Sequence, residues 1–203
     1  MSSSYQERRY VVPDRSDPMG GFNPRGPPFA DASNPNVVRF TATHAGICTG
    51  EVIDHTNAPL YRFQSDGARH LVMLDASGGV LAKYEDGEVA YGDNFPVKGK
   101  KFIHKGAPGN TGAVLTFNGQ QYEFVQEIFY AIVRTIPSAD RVAIVYNYTG
   151  KPAVEMVPAG TEVAGLQEFI VFVTALMESG VMKGGKSRLG KTFQKIIPGK
   201  KCT

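Results

Sequence analysis

A long apolar segment near the C-terminus constrains the fold of this chain more than any other feature. Residues 161–182 read TEVAGLQEFIVFVTALMESGVM, with apolar residues at spacings of three and four and at most other positions. The segment is longer than an ordinary strand and ends in good helix formers, so a helix is favoured over the alternative, a central strand. A helix that is apolar nearly all round must be buried on nearly all sides. We predict this helix over about residues 161–180, with Thr161 as N-cap and Gly180 as C-terminal stop.

The chain before this segment consists of short strand-like runs. From Val37 to about Pro158, some eleven runs rich in Val, Ile, Tyr, Phe and Thr are separated by turn residues such as Asp-Gly and Asn-Gly. They include a run at 100–105 and an unbroken one at 121–136. No helical pattern separates the runs, so we expect antiparallel pairing. That many strands close into a barrel or split into a sandwich, and a barrel gives the apolar helix a place to be buried.

The predicted fold is therefore mainly β: a closed antiparallel β-barrel of about 11–12 strands around one C-terminal hydrophobic α-helix. This architecture and three local motifs resemble the tubby-like superfamily. Residues 57–87 resemble an early strand pair with an Asp-x-x-Gly turn, and residues 166–177 resemble the closing helix. The segment LTFNGQQYEFV is similar to the Phe-x-Gly-x-x-Tyr hairpin of the family, carried by Phe117, Gly119 and Tyr122.

The resemblance covers about residues 37–182 and is to the small tubby-like domains, which include LURP-one-related proteins and uncharacterised fungal families. It implies the tubby-like fold and binding at a membrane surface or to a protein. The lipid-binding residues of tubby proteins have no counterpart in this sequence, and neither has the cysteine cluster or calcium site of phospholipid scramblases. The resemblance therefore supplies no site residues.

Charge and composition divide the chain into three regions. Residues 1–36 carry four arginines and four acids and are rich in proline, which predicts a disordered leader. Residues 37–182 carry eleven basic and fifteen acidic residues and form the predicted barrel domain. Residues 183–203 carry seven basic residues and no acid, which predicts a flexible basic tail. The basic character of the protein thus belongs to the tail.

The basic residues of the tail are the candidate lipid- or polyanion-binding residues. They are interleaved with Leu, Phe and Ile, and they are Lys183, Lys186, Arg188, Lys191, Lys195, Lys200 and Lys201. Such a segment can lie on an anionic membrane or stay solvated. Binding of nucleic acid is disfavoured because the predicted domain is acidic. A second basic cluster, at residues 98–105, can join the tail only if the fold brings the two together.

The remaining motifs do not indicate catalysis. The tail matches the phosphate-binding pattern G-x-x-x-x-G-K-[ST] twice, from Gly180 and from Gly185. That pattern needs a strand before it and a helix after it, whereas a helix is predicted before it and Pro198 interrupts the short segment after it. The four histidines are dispersed, and the acids around residues 85–93 lack the spacing of a calcium loop. We expect no cofactor and no metal.

The predicted function is a non-enzymatic binding or scaffolding module. We expect it to contact anionic membrane lipids or a protein partner, with the oligomeric state left open. The alternative is a β-barrel enzyme or small-ligand carrier whose site is assembled from distant strands. The N-terminus lacks the apolar region of a signal peptide and no run of eighteen apolar residues spans a bilayer, so we expect a cytoplasmic protein, peripheral at membranes.

Overall fold

One antiparallel sheet and three helices make up the part of the chain that the computed structural model describes, residues 33–42, 49–67, 70–105, 112–126, 130–148 and 151–179. The helices are α1 (Gly99–Phe102), α2 (Pro158–Thr161) and α3 (Leu166–Ser179). The thirteen strands are β1 (Val37–Phe40), β2 (Glu51–Ile53), β3 (Pro59–Gly67), β4 (His70–Asp75), β5 (Val80–Glu85), β6 (Glu88–Tyr91), β7 (Val97–Lys98), β8 (His104–Lys105), β9 (Ala113–Phe117), β10 (Gln120–Gln126), β11 (Tyr130–Ile136), β12 (Arg141–Tyr148) and β13 (Lys151–Met156). Their order across the sheet is β7-β6-β5-β4-β3-β2-β1-β13-β12-β11-β10-β9-β8.

Two matched turns set the register of the hairpins β2–β3 and β4–β5. In the first, Asp54 Oδ1 accepts the backbone N–H groups of Thr56 at 2.7 Å and Ala58 at 2.9 Å. In the second, Asp75 Oδ1 accepts those of Ser77 and Gly79, both at 2.8 Å. A short polar side chain that bonds to backbone two and four residues later stabilises a turn locally. These turn residues therefore explain why the strands reverse at these positions.

Two predicted strand runs differ in the structure. Residues 121–136 form two strands, β10 and β11, which pair with each other as a hairpin. The sequence between them contains no Gly, Pro or Asn to mark the reversal, so the prediction of one run was wrong. In the run at 100–105, the first residues belong to the helical turn α1, whose Phe102 ring lies 5.7 Å from that of Phe169 in α3. The helical turn allows Phe102 to reach the core.

Helix α3 is the buried helix that the sequence predicts, but it begins later than expected. Its residues from Phe169 to Leu176 are 0–1% exposed and pack against side chains from most of the strands. Thr161 is not the N-cap: it ends α2, where its hydroxyl donates to Pro158 O at 2.8 Å. Gly165, with φ of 77°, supplies the left-handed conformation that separates the two helices. Gly180, the predicted stop, lies outside the described residues.

The two edges of the sheet are neighbours in sequence. Strand β7 forms one edge and β8 the other, and α1 joins them directly. Within the ranges that the structure describes, no ladder pairs β7 with β8, so hydrogen bonds do not close the sheet there. Side chains from both edge regions nevertheless meet on α3, because Tyr91 of β6 and Phe117 of β9 each contact Phe169, with ring centroids 5.4 Å and 4.7 Å away. The fold is thus mainly β, with one antiparallel sheet packed around one helix.

Candidate functional site

The predicted basic residues of the tail, from Lys183 to Lys201, all lie outside the described residues. The structure does show the course of α3, which precedes the tail in sequence. Tyr91 Oη donates to Gly165 O at 2.9 Å, which fixes the start of α3 at the end of the sheet where β6 ends. The fourteen residues of α3 then extend for about 21 Å through the core. Helix α3 therefore carries the chain toward the opposite end of the sheet, where its last residue, Ser179, is 2% exposed.

Part of the second basic cluster lies beside the turn between β5 and β6. Gly99 N donates to Gly87 O at 2.7 Å, so α1 starts beside the turn between β5 and β6, away from Tyr91. Lys98 and Lys101 flank this position, and both side chains are exposed. The sequence left open whether the fold brings this cluster toward the tail. Phe102, which follows Lys101, contacts Phe169 near the start of α3, so α1 lies nearer to the start of α3 than to its end.

A polar cluster lies at the end where α3 begins. The Tyr61 hydroxyl of β3 is hydrogen-bonded to the Glu168 carboxylate of α3, and the Tyr91 hydroxyl of β6 bonds to Gly165 O. Burial raises the pKa of Tyr61 and of Tyr91 far above the ordinary value, and the negative charge of Glu168 adds to both shifts. Both phenols therefore stay protonated at neutral pH and act as hydrogen-bond donors.

Sequence reasoning missed this cluster because its members come from three distant elements. The one signal was Glu168, a carboxylate in the first turn of a largely apolar helix. An acid near a helix N-terminus is also favoured by the helix dipole, so the signal has an ordinary structural explanation. The cluster is therefore an anchor for the start of α3.

Apolar side chains are also exposed at the end of the sheet where α3 begins. Phe95, in the connection from β6 to β7, is 91% exposed, and Val80 at the start of β5 is 63% exposed. The connection is held by Asn94, whose side-chain amide donates to Tyr91 O at 2.8 Å. An aromatic ring on a fixed loop is a usual element of protein contacts. Phe95 is therefore the most exposed apolar contact on this end.

The structure brings together no metal ligands in the ranges it describes, where no group of three His, Cys, Asp or Glu side chains could hold an ion. Of the acids around residues 85–93, those at Glu85, Asp86, Glu88 and Asp93 are all exposed. The phosphate-binding pattern lies outside the described residues, but α3 leads into it as a helix up to Ser179. A nucleotide loop of that type requires a strand in this place.

Comparison with known proteins gives similarity at the level of structure. The X-ray structure of the Arabidopsis thaliana protein AT5G01750, a LURP-one-related protein, is similar to this chain with a TM-score of 0.40. The two chains are 14% identical, and the similarity covers 70% of this chain and 90% of that chain. No protein-family model and no curated protein matches the sequence. Among the described residues, none of the helices is long and apolar enough to cross a bilayer.

Proposed function

We propose that this chain is a non-enzymatic binding module of tubby-like architecture that contacts anionic membrane surfaces through its basic tail. The observation that supports the proposal most directly is the division of charge along the chain. Residues 183–203 carry seven basic residues and no acid, whereas residues 37–182 carry eleven basic and fifteen acidic residues.

The closed barrel is part of this proposal. Its support is that α1 links the two edge strands directly and that Tyr91 of β6 and Phe117 of β9 both contact Phe169. An open edge between β7 and β8 would leave the apolar helix uncovered on one side, whereas its residues from Phe169 to Leu176 are 0–1% exposed. Closure by side chains explains that burial without a hydrogen-bonded ladder.

The tail has the chemistry that a membrane contact requires. Each basic residue near an anionic leaflet contributes about 1 kcal/mol of attraction, which falls off within the Debye length. Leu189, Phe193, Ile196 and Ile197 lie between the charges and can insert among the lipid headgroups. The proposal therefore predicts binding that weakens with salt and depends on anionic lipid.

Vesicle flotation tests the proposal with the full-length chain. The wild type is expected to float with vesicles of phosphatidylcholine and phosphatidylserine and to stay in solution with phosphatidylcholine alone. Replacement of all seven basic tail residues by Gln should reduce flotation to the level of the neutral vesicles. The variant Lys98→Gln/Lys101→Gln should reduce it by a smaller factor.

Two matched variants control for charge alone. Replacement of the four leader arginines, Arg8, Arg9, Arg15 and Arg25, by Gln removes charge far from the tail in sequence. The variant Arg62→Gln/Lys83→Gln removes two exposed charges from the sheet. Both should float like the wild type. Equal flotation of the tail variant and the wild type would exclude the tail as the contact.

The cluster of Tyr61, Tyr91 and Glu168 favours the alternative, a small-ligand carrier or enzyme with a site assembled from distant strands. Two phenol donors and a carboxylate at one end of the core suit a small polar ligand. A thermal-shift screen with small polar metabolites tests it: a carrier should show a ligand that stabilises the wild type and loses its effect in Glu168→Gln. A screen without such a ligand counts against this function.

A further inference from the structure

Among the residues that the structure describes, three large hydrophobic side chains are exposed, and all three lie in one region of the sheet. Phe95 is 91% exposed, Val80 63% and Val97 38%. Val80 begins β5, Phe95 lies in the connection from β6 to β7, and Val97 begins β7, which is an edge strand. Exposed apolar residues that share one region indicate a contact surface, whereas scattered single ones do not. We call these three residues the Phe95 surface.

Local hydrogen bonds hold the connection that carries Phe95. Asn94 donates to Tyr91 O through its backbone N–H, at 3.2 Å, and through its side-chain amide, at 2.8 Å. Gly92 N donates to Leu81 O of β5 at 2.8 Å, and the φ of Gly92, 55°, permits the reversal. The exposed ring therefore stands on an ordered turn. Contact with a partner then costs less conformational entropy than ordering a loose loop would.

The end of the sheet that carries Phe95 has acidic connections. The antiparallel order places six connections there: β2–β3, β4–β5, β6–β7, β9–β10, β11–β12 and the segment from β13 to α3. None of the six contains Lys or Arg, although the chain has a net charge of +3. Their acids, counted with the last residue of β4, are Asp54, Asp75, Asp93, Asp140 and Glu162.

The cations that adjoin these connections lie beside other parts of the sheet. Lys98, the nearest cation to Phe95 in sequence, is directly opposite Glu88 in the ladder, toward the other end of β6. Arg39 of β1 donates to the backbone of the β2–β3 turn at 3.2 Å, and Arg141 begins β12. At least four strands separate β1 and β12 from β6. The connections next to Phe95 therefore contribute negative charge only.

The combination of an exposed ring and carboxylates favours a partner that offers cations and an apolar side chain. A Lys or Arg can lie over the Phe95 ring and pair with Asp93, two residues before it. Glu162 belongs to the linker that the bond from Tyr91 Oη to Gly165 O holds at the end of β6. The same acids repel an anionic membrane and nucleic acid. Charge complementarity thus selects a basic segment of a protein.

We propose that the Phe95 surface docks a short basic segment of a partner protein. Phe95 is the aromatic anchor of this contact, and Asp93 and Glu162 attract the Lys or Arg side chains of the segment. An aromatic residue that loses its contact with water on binding carries a large share of the binding free energy. Membrane binding by the tail uses other residues, so either contact can exist without the other.

Fluorescence anisotropy with the full-length chain tests the proposal. The probe is a labelled peptide of Arg, Leu, Gly and Ser, and the control peptide has Glu in place of each Arg. The wild type should bind the Arg peptide, more weakly as salt rises, and should not bind the Glu peptide. Phe95→Ser should weaken binding about ten-fold or more, because the anchor is lost. Equal affinities of Phe95→Ser and the wild type would overturn the proposal.

A matched pair of variants separates the Phe95 surface from net charge. Asp93→Asn/Glu162→Gln should weaken binding several-fold and make it less dependent on salt. Asp86→Asn/Glu88→Gln removes two exposed acids from the β5–β6 turn at the other end of the sheet and should bind like the wild type. Equal losses in these two variants would show that the peptide responds to net charge alone, which would overturn the proposal.

Two further measurements exclude other occupants of the Phe95 surface. The variant with Gln at all seven basic tail residues should bind the Arg peptide like the wild type. Tighter binding by this variant would identify the chain's own tail as the occupant and would overturn a separate partner. Phe95→Ser should float with phosphatidylserine vesicles like the wild type, and weaker flotation would assign Phe95 to a membrane contact instead.

Discussion

The outer faces of the two halves of this sheet differ in how deeply their side chains are buried. On β3 and β5 the outward positions include Arg62, Gln64 and Lys83, which are exposed or half-buried. On β1, β13 and β12 the outward positions include Ile144, Tyr146 and Ala153, each no more than 3% exposed. Both halves pack the same helix on their inner faces. The first half is therefore a sheet with one buried face, and the second is a sheet with two.

The ion pairs of the two halves differ in the same way. Arg62 and Glu51 pair at 3.1 Å on the first half, with both side chains largely open to water at 60% and 42% exposure. Arg134 and Glu123 pair at 2.8 Å on the second half, where the Glu123 side chain is only 4% exposed. A charge buried to this degree depends on its partner far more than an exposed one does. The buried Glu123 carboxylate on the second half is therefore expected to lose more free energy without its partner than Glu51 would on the first half.

Truncation of an outward aromatic residue should show the largest difference between the halves. Tyr146→Ala removes a ring that is 1% exposed and is expected to lower the free energy of unfolding by about 3–5 kcal/mol. Phe95→Ala removes a ring that is 91% exposed and should change it by no more than about 0.5 kcal/mol. Urea titration of the full-length variants measures both values. Equal costs for Tyr146→Ala and Phe95→Ala would contradict the two-faced burial of this half.

Loss of an arginine should show a smaller difference. Arg134→Ala leaves the buried Glu123 carboxylate without its two guanidinium bonds, at 3.0 Å and 2.8 Å, and should cost about 1–3 kcal/mol. Arg62→Ala leaves an exposed Glu51 and should cost about 0–1 kcal/mol. The double variant Glu123→Leu/Arg134→Leu should recover much of the loss, because it leaves no unpaired charge. Equal costs for the two arginine variants in urea titration would count against the distinction.

The sequence indicated a different pattern of burial for each half of the sheet. Residues 141–148, within the region predicted to consist of strands, form β12, and the helix predicted over about 161–180 is α3 at 166–179. The same run contains five successive buried residues, Val142 to Tyr146, which read as unbroken apolar letters. Such a run is typical of a strand buried on both faces. The sequence of β12 therefore indicated a strand with two buried faces, whereas the alternation of apolar and polar residues in β3 indicated a strand with one.

The features that the sequence could not predict depend on contacts between separate parts of the chain. The hairpin of β10 and β11 has no turn residue to reveal it, and the hydroxyl of Thr161, the predicted N-cap, bonds back to Pro158 instead. The cluster of Tyr61, Tyr91 and Glu168 joins residues that lie far apart in sequence, which no local pattern records. The predicted basic site remains a prediction, since all of its residues lie outside the described ranges.

The smallest effect at neutral pH concerns the inner face of the first half, where Tyr61 and Tyr91 meet the start of α3. Their pKa values are raised by burial first and by the Glu168 charge second, so the folded state holds both phenols neutral. A pKa raised on folding gives stability that is complete below the unfolded value of about 10 and is lost as pH rises toward the folded value. The free energy of unfolding should therefore fall steeply above about pH 10.

The variant Tyr61→Phe/Tyr91→Phe should make this alkaline decline shallower, because neither ring then has a proton to lose. Tyr84 and Tyr122, whose pKa values burial also raises, should keep the part of the decline that remains. Glu168→Gln should lower the folded pKa of Tyr61 and Tyr91, so the decline should still begin near pH 10 but be smaller and end at a lower pH. Urea titrations at a series of alkaline pH values measure these slopes. An unchanged slope in the double variant would show that the pKa values of the two phenols are not raised by folding.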